Sequence, residues 1–286
     1  MSTIMKAKEA AEQVYDVVRS RVEALKEGGT HPLLAVVLLA GDPASAYYAQ
    51  AKRKIAERLG IAYRLHTLPA DTSEPALLEL IAGLNAAPDV HGIMLELPLP
   101  AHLSARRIER AISPAKDVDG VTPANKLAVL TGEPGLYPAT PQACITLVKH
   151  YGYALEGANV TLIGRGQTVG LPLFHLLQRE QATVTVCHSR TPDIASHLAR
   201  ADLAFVAVGR PDTVTPDMVH PGLVLVDAGI NELPGGSIAG DISPAAGERA
   251  AACSPVPGGV GTLTTAILFR NLMDAIVRQQ SEVSGA

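Results

Sequence analysis

The 286-residue sequence has no tryptophan, and aromatic residues make up only 3% of it. A core with so few rings has to be aliphatic, and a chain of this length with 47% hydrophobic residues can bury a substantial one. Cysteine is also scarce: Cys144, Cys187 and Cys253 are odd in number and far apart, which argues against both a disulfide framework and a zinc site. No metal is expected. A formal net charge of -4 provides no attraction for nucleic acid or an anionic membrane. Met1 to Arg21 mixes acids and bases at helical spacing without the apolar stretch of a signal peptide. No later apolar run looks long enough to cross a bilayer uninterrupted. The expected setting is therefore the reducing cytoplasm, with neither nucleic-acid nor membrane partners.

What the chain does have is a repeated alternation of short apolar runs and amphipathic segments. Residues 5–27 read as a helix stopped by Gly28-Gly29. Strands are expected at 33–39, 61–66 and 90–95, with helices at 45–59, 73–84 and 102–112 between and after them. This is the order of parallel βαβ units. A stretch rich in Pro, Gly and Thr, 113–141, reads as a long loop or linker. The pattern then restarts with strands at 159–163, 182–187, 203–208 and 223–227, helices at 169–179 and 194–200, and a terminal helix at 263–279. The fold class is α/β in two lobes, with an active-site cleft expected at their junction. Internal repeats and low-complexity tracts are not evident.

In the second half, the run Val160-Thr161-Leu162-Ile163-Gly164-Arg165-Gly166-Gln167-Thr168-Val169-Gly170 is a strand, a glycine turn and the start of a helix. Gly164 would make the turn, and Gly166 would let backbone amides approach a pyrophosphate at the helix N-terminus. The spacing G-x-G-x-x-x-G is one residue longer than the commonest dinucleotide fingerprint. NAD binders usually place an acid at the tip of the next strand. Here the tip is Cys187-His188-Ser189-Arg190, with none. Arg165, Ser189 and Arg190 suit a 2′-phosphate instead, so the expected cofactor is NADP.

In the first half, Tyr48 and Lys52 are four residues apart and share a helix face. An aromatic ring beside an amine can stack on a flat substrate and present the amine to its reactive carbon. Glu96 ends an apolar strand before Leu97-Pro98-Leu99-Pro100, at the carboxyl edge where α/β sheets bind ligands. Lys116-Asp117-Val118-Asp119-Gly120 places two carboxylates together, either as a cluster resembling a metal site or as partners for the N–H edge of a heterocycle. Pro257-Gly258-Gly259-Val260-Gly261 forms a backbone-rich loop before the last helix.

Gly41-Asp42-Pro43-Ala44-Ser45 with Tyr48 and Lys52, Leu97–Pro100, Lys116–Gly120, Gly164–Pro172, Cys187–Thr191, Asp227–Asn231 and Pro257–Gly261 occur in that order over nearly the whole chain. Together they resemble the bifunctional methylenetetrahydrofolate dehydrogenase/methenyltetrahydrofolate cyclohydrolase family. The resemblance implies a folate-binding catalytic domain at 1–138, with a C-terminal helix 264–286 packing back on it, and a Rossmann-type NADP domain at 139–263. It implies a homodimer joined through the latter. Tyr48 would stack on the folate, Lys52 would be the catalytic lysine, Asp119 would hold the pterin, and Leu95, Glu96, Leu97 and Pro257 to Gly261 would line the substrate. Gly164, Arg165, Gly166, Gln167, Thr168, Val169, Ser189, Arg190 and Ile230 would contact the cofactor. The implied chemistry is oxidation of 5,10-methylenetetrahydrofolate to the methenyl cation, then hydration to 10-formyltetrahydrofolate.

The chain departs from the family pattern near the expected active site. Glu96 stands where the family has glutamine, Ala139 where it has cysteine, Gly166 where it has serine, and Thr262-Leu263 where it has Pro-Met. Glu96 matters most. A carboxylate beside Lys52 favours the charged ammonium, weakens the lysine as a base and stabilises a methenyl cation. The dehydrogenase is thus expected to survive, with the cyclohydrolase weakened or lost. The alternatives are a fully bifunctional enzyme in which Glu96 acts as the base, and a non-catalytic NADP-binding paralogue, which the retention of Tyr48, Lys52 and Asp119 disfavours. Amino-acid dehydrogenases share a two-lobed architecture, but their substrate motifs are not found here.

Overall fold

The computed structural model describes residues 2–234 and 236–284, which divide into two compact units. One comprises Val14–Tyr137 with Leu268 onward, the other Met1–Gln13 with Pro138–Ile267. In chain order the first elements are strand β1 (Thr3–Ile4), helix α1 (Lys8–Glu27), β2 (Leu33–Leu39), α2 (Pro43–Arg58), β3 (Ala62–Leu68), α3 (Glu74–Ala86) and β4 (Gly92–Leu95). Helices α4 (Ala105–Ala111), α5 (Pro123–Thr131) and α6 (Ala139–His150) follow. After them come β5 (Asn159–Ile163), α7 (Gly170–Arg179), β6 (Thr183–Cys187), α8 (Ile194–Leu198), β7 (Leu203–Val206) and β8 (Val224–Asp227). The chain ends with β9 (Asn231–Glu232), β10 (Ile238–Ala239), α9 (Pro244–Arg249), β11 (Ala252–Cys253) and α10 (Val260–Ser284).

The unit built on Val14–Tyr137 has a three-stranded parallel sheet in the order β3-β2-β4. Strand side chains alternate between faces, so Ala35, Val37, Leu39, Ile93 and Leu95 pack with Leu77, Ile81 and Leu84 of α3 and Ile108 of α4. Residues of the opposite parity, Gly92, Met94 and then Glu96, belong to the other face. A Cβ on Gly92 would overlap Val118 and Leu272, so this strand position must be glycine for α10 to lie against it. Asn271 of α10 donates to the carbonyls of Val118 (2.8 Å) and Tyr137 (2.9 Å), anchoring the helix to the Lys116–Gly120 segment.

The other unit has a six-stranded sheet in the order β1-β11-β8-β7-β5-β6, every pairing parallel, and a β9–β10 hairpin. From β5 the chain moves to one side for β6, then crosses back to the other side for β7. The carboxyl ends of β5 and β7 thus form the switch point at which open α/β sheets bind ligands.

Three expectations change. The first 13 residues group with the Rossmann-type unit rather than with a domain 1–138, because Thr3 and Ile4 pair with Ala252 and Cys253. The stretch 113–141 is not one long loop. Thr122 caps α5, Pro123 occupies its first turn and Gly132, in the left-handed conformation, ends it. Finally, α10 has an 18-residue window apolar enough to cross a membrane by length and composition, with a mean hydropathy of 1.3. That window is 61% buried, as in a core helix of a globular fold.

Candidate active site

After β2 the chain turns through Asp42, whose carboxylate accepts from the backbone N–H of Ser45 (3.0 Å) and from its hydroxyl, fixing the first turn of α2. The Ser45 Oγ also lies 3.1 Å from the carbonyl oxygen of Leu97. The start of α2 is therefore tied to the loop that follows β4. Tyr48 and Lys52 lie on successive turns of this helix, and Tyr48 meets Tyr47 edge-on at 5.9 Å.

Glu96 follows β4 directly, and its N–H continues the sheet by donating to Val37 (2.9 Å). Its side chain is 6% exposed, and Lys52 Nζ sits 2.8 Å from both Oε1 and Oε2. One ammonium thus faces both oxygens of one buried carboxylate. Tyr63 of β3 donates its hydroxyl to Ala49 of α2 (2.9 Å). Burial, and then the Glu96 charge, push its phenol well above the ordinary range and keep it neutral.

Only one acid of Lys116–Gly120 is available for chemistry. Lys116 Nζ donates to the carbonyls of Leu84 (3.1 Å), Asn85 (2.7 Å) and Ala87 (2.7 Å), closing the end of α3. Asp117 is fully buried and accepts from the N–H groups of Val121 (3.0 Å) and Thr122 (2.8 Å) and from Asn125 Nδ2 (2.9 Å). Asp119 is partly buried. Burial, then the Asp117 charge, push its carboxyl up to about 6; Lys52 opposes this, while Glu96 and Glu109 add to it. The charges of both Lys52 and Glu96 therefore reach Asp119. Among the described residues, no cluster of three or more His, Cys, Asp or Glu side chains suits a metal ion.

In the Rossmann-type unit, Gly164 has φ +115°, and a Cβ there would overlap the carbonyl of Ala207, so the turn after β5 closes directly on the end of β7. A Cβ on Gly170 would overlap the Gly164 carbonyl, which brings the start of α7 against the turn. Gly166, by contrast, has open space around it, and Arg165, Gln167 and Thr168 are exposed. After β6, His188 N–H donates to Thr191 Oγ1 (2.9 Å) and Arg190 N–H to His188 Nδ1 (3.1 Å), a turn that leaves Ser189 and Arg190 exposed. Basic and hydroxyl groups with an open glycine turn fit a phosphorylated dinucleotide.

Other expected residues are distributed differently. The Leu95 side chain is locked in the α3/α4 core and Val260 is 2% exposed, so lining by either is left to backbone; Leu97 is 40% exposed. A Cβ on Gly259 would overlap the Pro255 carbonyl, and one on Gly261 would lie 3.6 Å from Ile230 Cδ1, which places the Pro257–Gly261 loop beside exposed Ile230. Tyr63 escaped notice in the sequence, and Ser45 was named there only within its motif. Strand parity, which puts Tyr63 on the Glu96 side of the sheet, was the available signal.

Two family profiles match the chain: "Tetrahydrofolate dehydrogenase/cyclohydrolase, catalytic domain" over residues 5–119 and "Tetrahydrofolate dehydrogenase/cyclohydrolase, NAD(P)-binding domain" over residues 138–280. The chain belongs to the tetrahydrofolate dehydrogenase/cyclohydrolase family. It is 49% identical to the bifunctional protein FolD 2 of Desulfitobacterium hafniense, over 99% of each chain. The bifunctional FolD enzyme of Campylobacter jejuni superposes with a TM-score of 0.93 at 35% identity, covering 98% of this chain and 100% of that one. The Trypanosoma brucei methylenetetrahydrofolate dehydrogenase-cyclohydrolase, solved with NADP and an inhibitor, superposes with a TM-score of 0.91 at 30% identity, covering 97% and 98%. As a family member the chain is an enzyme with a folate-type substrate and NADP as its cofactor.

The titration of Asp119 should be visible in the kinetics. An ionised carboxylate accepts more strongly from a heterocycle N–H than the neutral acid does, so kcat/KM for the folate is expected to fall as pH drops through about 6. Asp119→Asn should remove that acidic limb from whatever activity remains. An unchanged limb in the variant would exclude Asp119 as its source.

Proposed function

We propose that this enzyme oxidises 5,10-methylenetetrahydrofolate to 5,10-methenyltetrahydrofolate with NADP in one-carbon metabolism, and that Glu96 slows the following hydration to 10-formyltetrahydrofolate. The observation that carries this reading is the contact of Lys52 Nζ with both Glu96 oxygens. NADP, when bound, supplies the hydride acceptor. The protein's share of the first step is to hold the substrate. Tyr48, exposed on α2, offers a ring for stacking, Asp119 accepts from the pterin, and Glu96, Leu97 and the backbone of Leu95 contribute a wall. Gly164 to Val169, Ser189, Arg190 and Ile230 hold the dinucleotide, with Arg165, Ser189 and Arg190 suited to its 2′-phosphate.

Oxidation leaves a cation on the bridging carbon, and the Glu96 carboxylate lowers its energy. Hydration needs a group to take a proton as water adds. An ammonium has donors and no acceptor, so Lys52 paired with Glu96 is poorly placed to serve. With glutamine at position 96 the ion pair with Lys52 would be absent.

The family resemblance also favours a homodimer joined through the Rossmann-type unit. A groove of about 770 Å³ there is lined by Ile4, Leu233, Ile238, Ile242 and Val256 among others, beside edge strand β1 and the β9–β10 hairpin, and Ile4 is 60% exposed. Sedimentation that returned only monomer at micromolar concentration would remove the dimer from this proposal.

Glu96→Gln is expected to raise the rate of methenyltetrahydrofolate hydrolysis by roughly tenfold or more, within the range of general acid–base effects. Oxidation of methylenetetrahydrofolate should change less. Unchanged hydrolysis on substitution would contradict this reading, and a fall would point to Glu96 as the base of a fully bifunctional enzyme.

A further inference from the structure

Asp241, fully buried between β10 and α9, accepts from four donors. Its Oδ2 accepts from the backbone N–H of Val208 (2.7 Å) and Gly209 (3.0 Å), and its Oδ1 from that of Arg210 (2.8 Å) and from Asn231 Nδ2 (2.9 Å). Three consecutive N–H groups converging on one point form a nest, a concavity that binds anions. This nest lies at the carboxyl end of β7, next to the Gly164 turn, where a Cβ on Gly164 would come within 3.2 Å of Val208 Cγ1. A phosphate group would suit it, but a side chain of the protein already fills it.

A second buried acid sets the first in place. Asp227 accepts from the N–H groups of Gly229 (2.9 Å), Asp241 (3.0 Å) and Ile242 (2.8 Å). The fit is tight enough that a Cβ on Gly229 would overlap the Asp241 carboxylate, and one on Gly240 would overlap that of Asp227. The segments 208–210, 229–231 and 240–242 are thus locked to one another. Val208, Arg210 and Ile230 nevertheless keep their side chains exposed, so what is locked is the backbone that presents them.

We propose that Asp241 is a positioning residue for the dinucleotide: a built-in anion that holds the loop after β7, and Ile230 through Asn231, in binding geometry before the cofactor arrives. Because the nest is filled, the cofactor's pyrophosphate is left to the Gly164–Thr168 turn. The proposal rests on the reading of this unit as the NADP-binding domain. Neither Asp227 nor Asp241 needs to touch the cofactor or the reacting atoms.

The test pairs NADPH binding by the full-length protein with hydrogen exchange of its ligand-free form. The native protein should bind NADPH; failure to do so would overturn the domain reading itself. In Asp241→Asn, one acceptor becomes a donor facing N–H groups. The NADPH dissociation constant and the KM for NADP should rise at least tenfold, while the tetrahydrofolate dissociation constant stays within twofold. General loosening of the fold would weaken both ligands. In the ligand-free native protein, the amides of Val208, Gly209 and Arg210 should already be protected. A folded variant that binds NADPH within twofold of the native value overturns the proposal. So does native protein whose three amides exchange freely until NADPH is added. If the variant does not fold, the exchange measurement decides alone.

Discussion

An ammonium with a carboxylate against it, both largely shielded from water, is a constraint that neither partner can leave cheaply, because the abandoned charge would stay buried. Lys52 and Glu96 stand in that relation, and the reading of this enzyme's chemistry depends on it. In the proposed function this contact keeps Lys52 from taking the proton that the second of the two family reactions releases. The same carboxylate is favourable to the cation that the first reaction produces. On that proposal, one side chain separates two steps that the family usually couples.

Elsewhere the protein uses its acids differently. Asp42, Asp117, Asp227 and Asp241 all accept from backbone N–H groups; Asp117 fixes the turn into α5, and the others fix loops that follow strands. Each replaces lost hydration with oriented donors, which makes a buried carboxylate tolerable and turns it into a clamp on the chain. Asp227 shows how close the balance is. Three backbone donors lower its pKa, yet burial dominates and pushes its carboxyl up to about 6. Glu96 and Asp119 differ: the Glu96 carboxylate meets the Lys52 ammonium, and the charges of both act on Asp119.

Much of this was legible in the sequence where the signal was local. The apolar runs at 33–39 and 159–163 are strands to the residue, and the glycine turn lies at Gly164 as its spacing implied. Lys52 and Glu96 were paired through the family resemblance; the structure supplied the geometry, with both oxygens engaged. Signals that were non-local or mixed misled. Pro, Gly and Thr at 113–141 read as loop, although Thr122, Pro123 and Gly132 are the start and stop signals of a short helix. Thr3–Ile4 is a strand only because Ala252–Cys253, nearly the whole chain away, offers it an edge. Asp241 carried no motif, since three of its four donors are backbone N–H groups and the fourth, Asn231, lies ten residues away. Leu95 was expected at the substrate, but strand parity sends it into the core and sends Glu96 the other way.

The most direct test of the Lys52–Glu96 account is the fate of the methenyl product in one turnover of the native enzyme. Excess enzyme would be mixed with methylenetetrahydrofolate and NADP, and reduced nicotinamide, methenyl and 10-formyl species would be followed separately. The account predicts that methenyltetrahydrofolate accumulates in near-stoichiometric amount with reduced nicotinamide and persists long after oxidation is complete. Formation of 10-formyltetrahydrofolate in step with reduced nicotinamide, with no methenyl species building up, would contradict it.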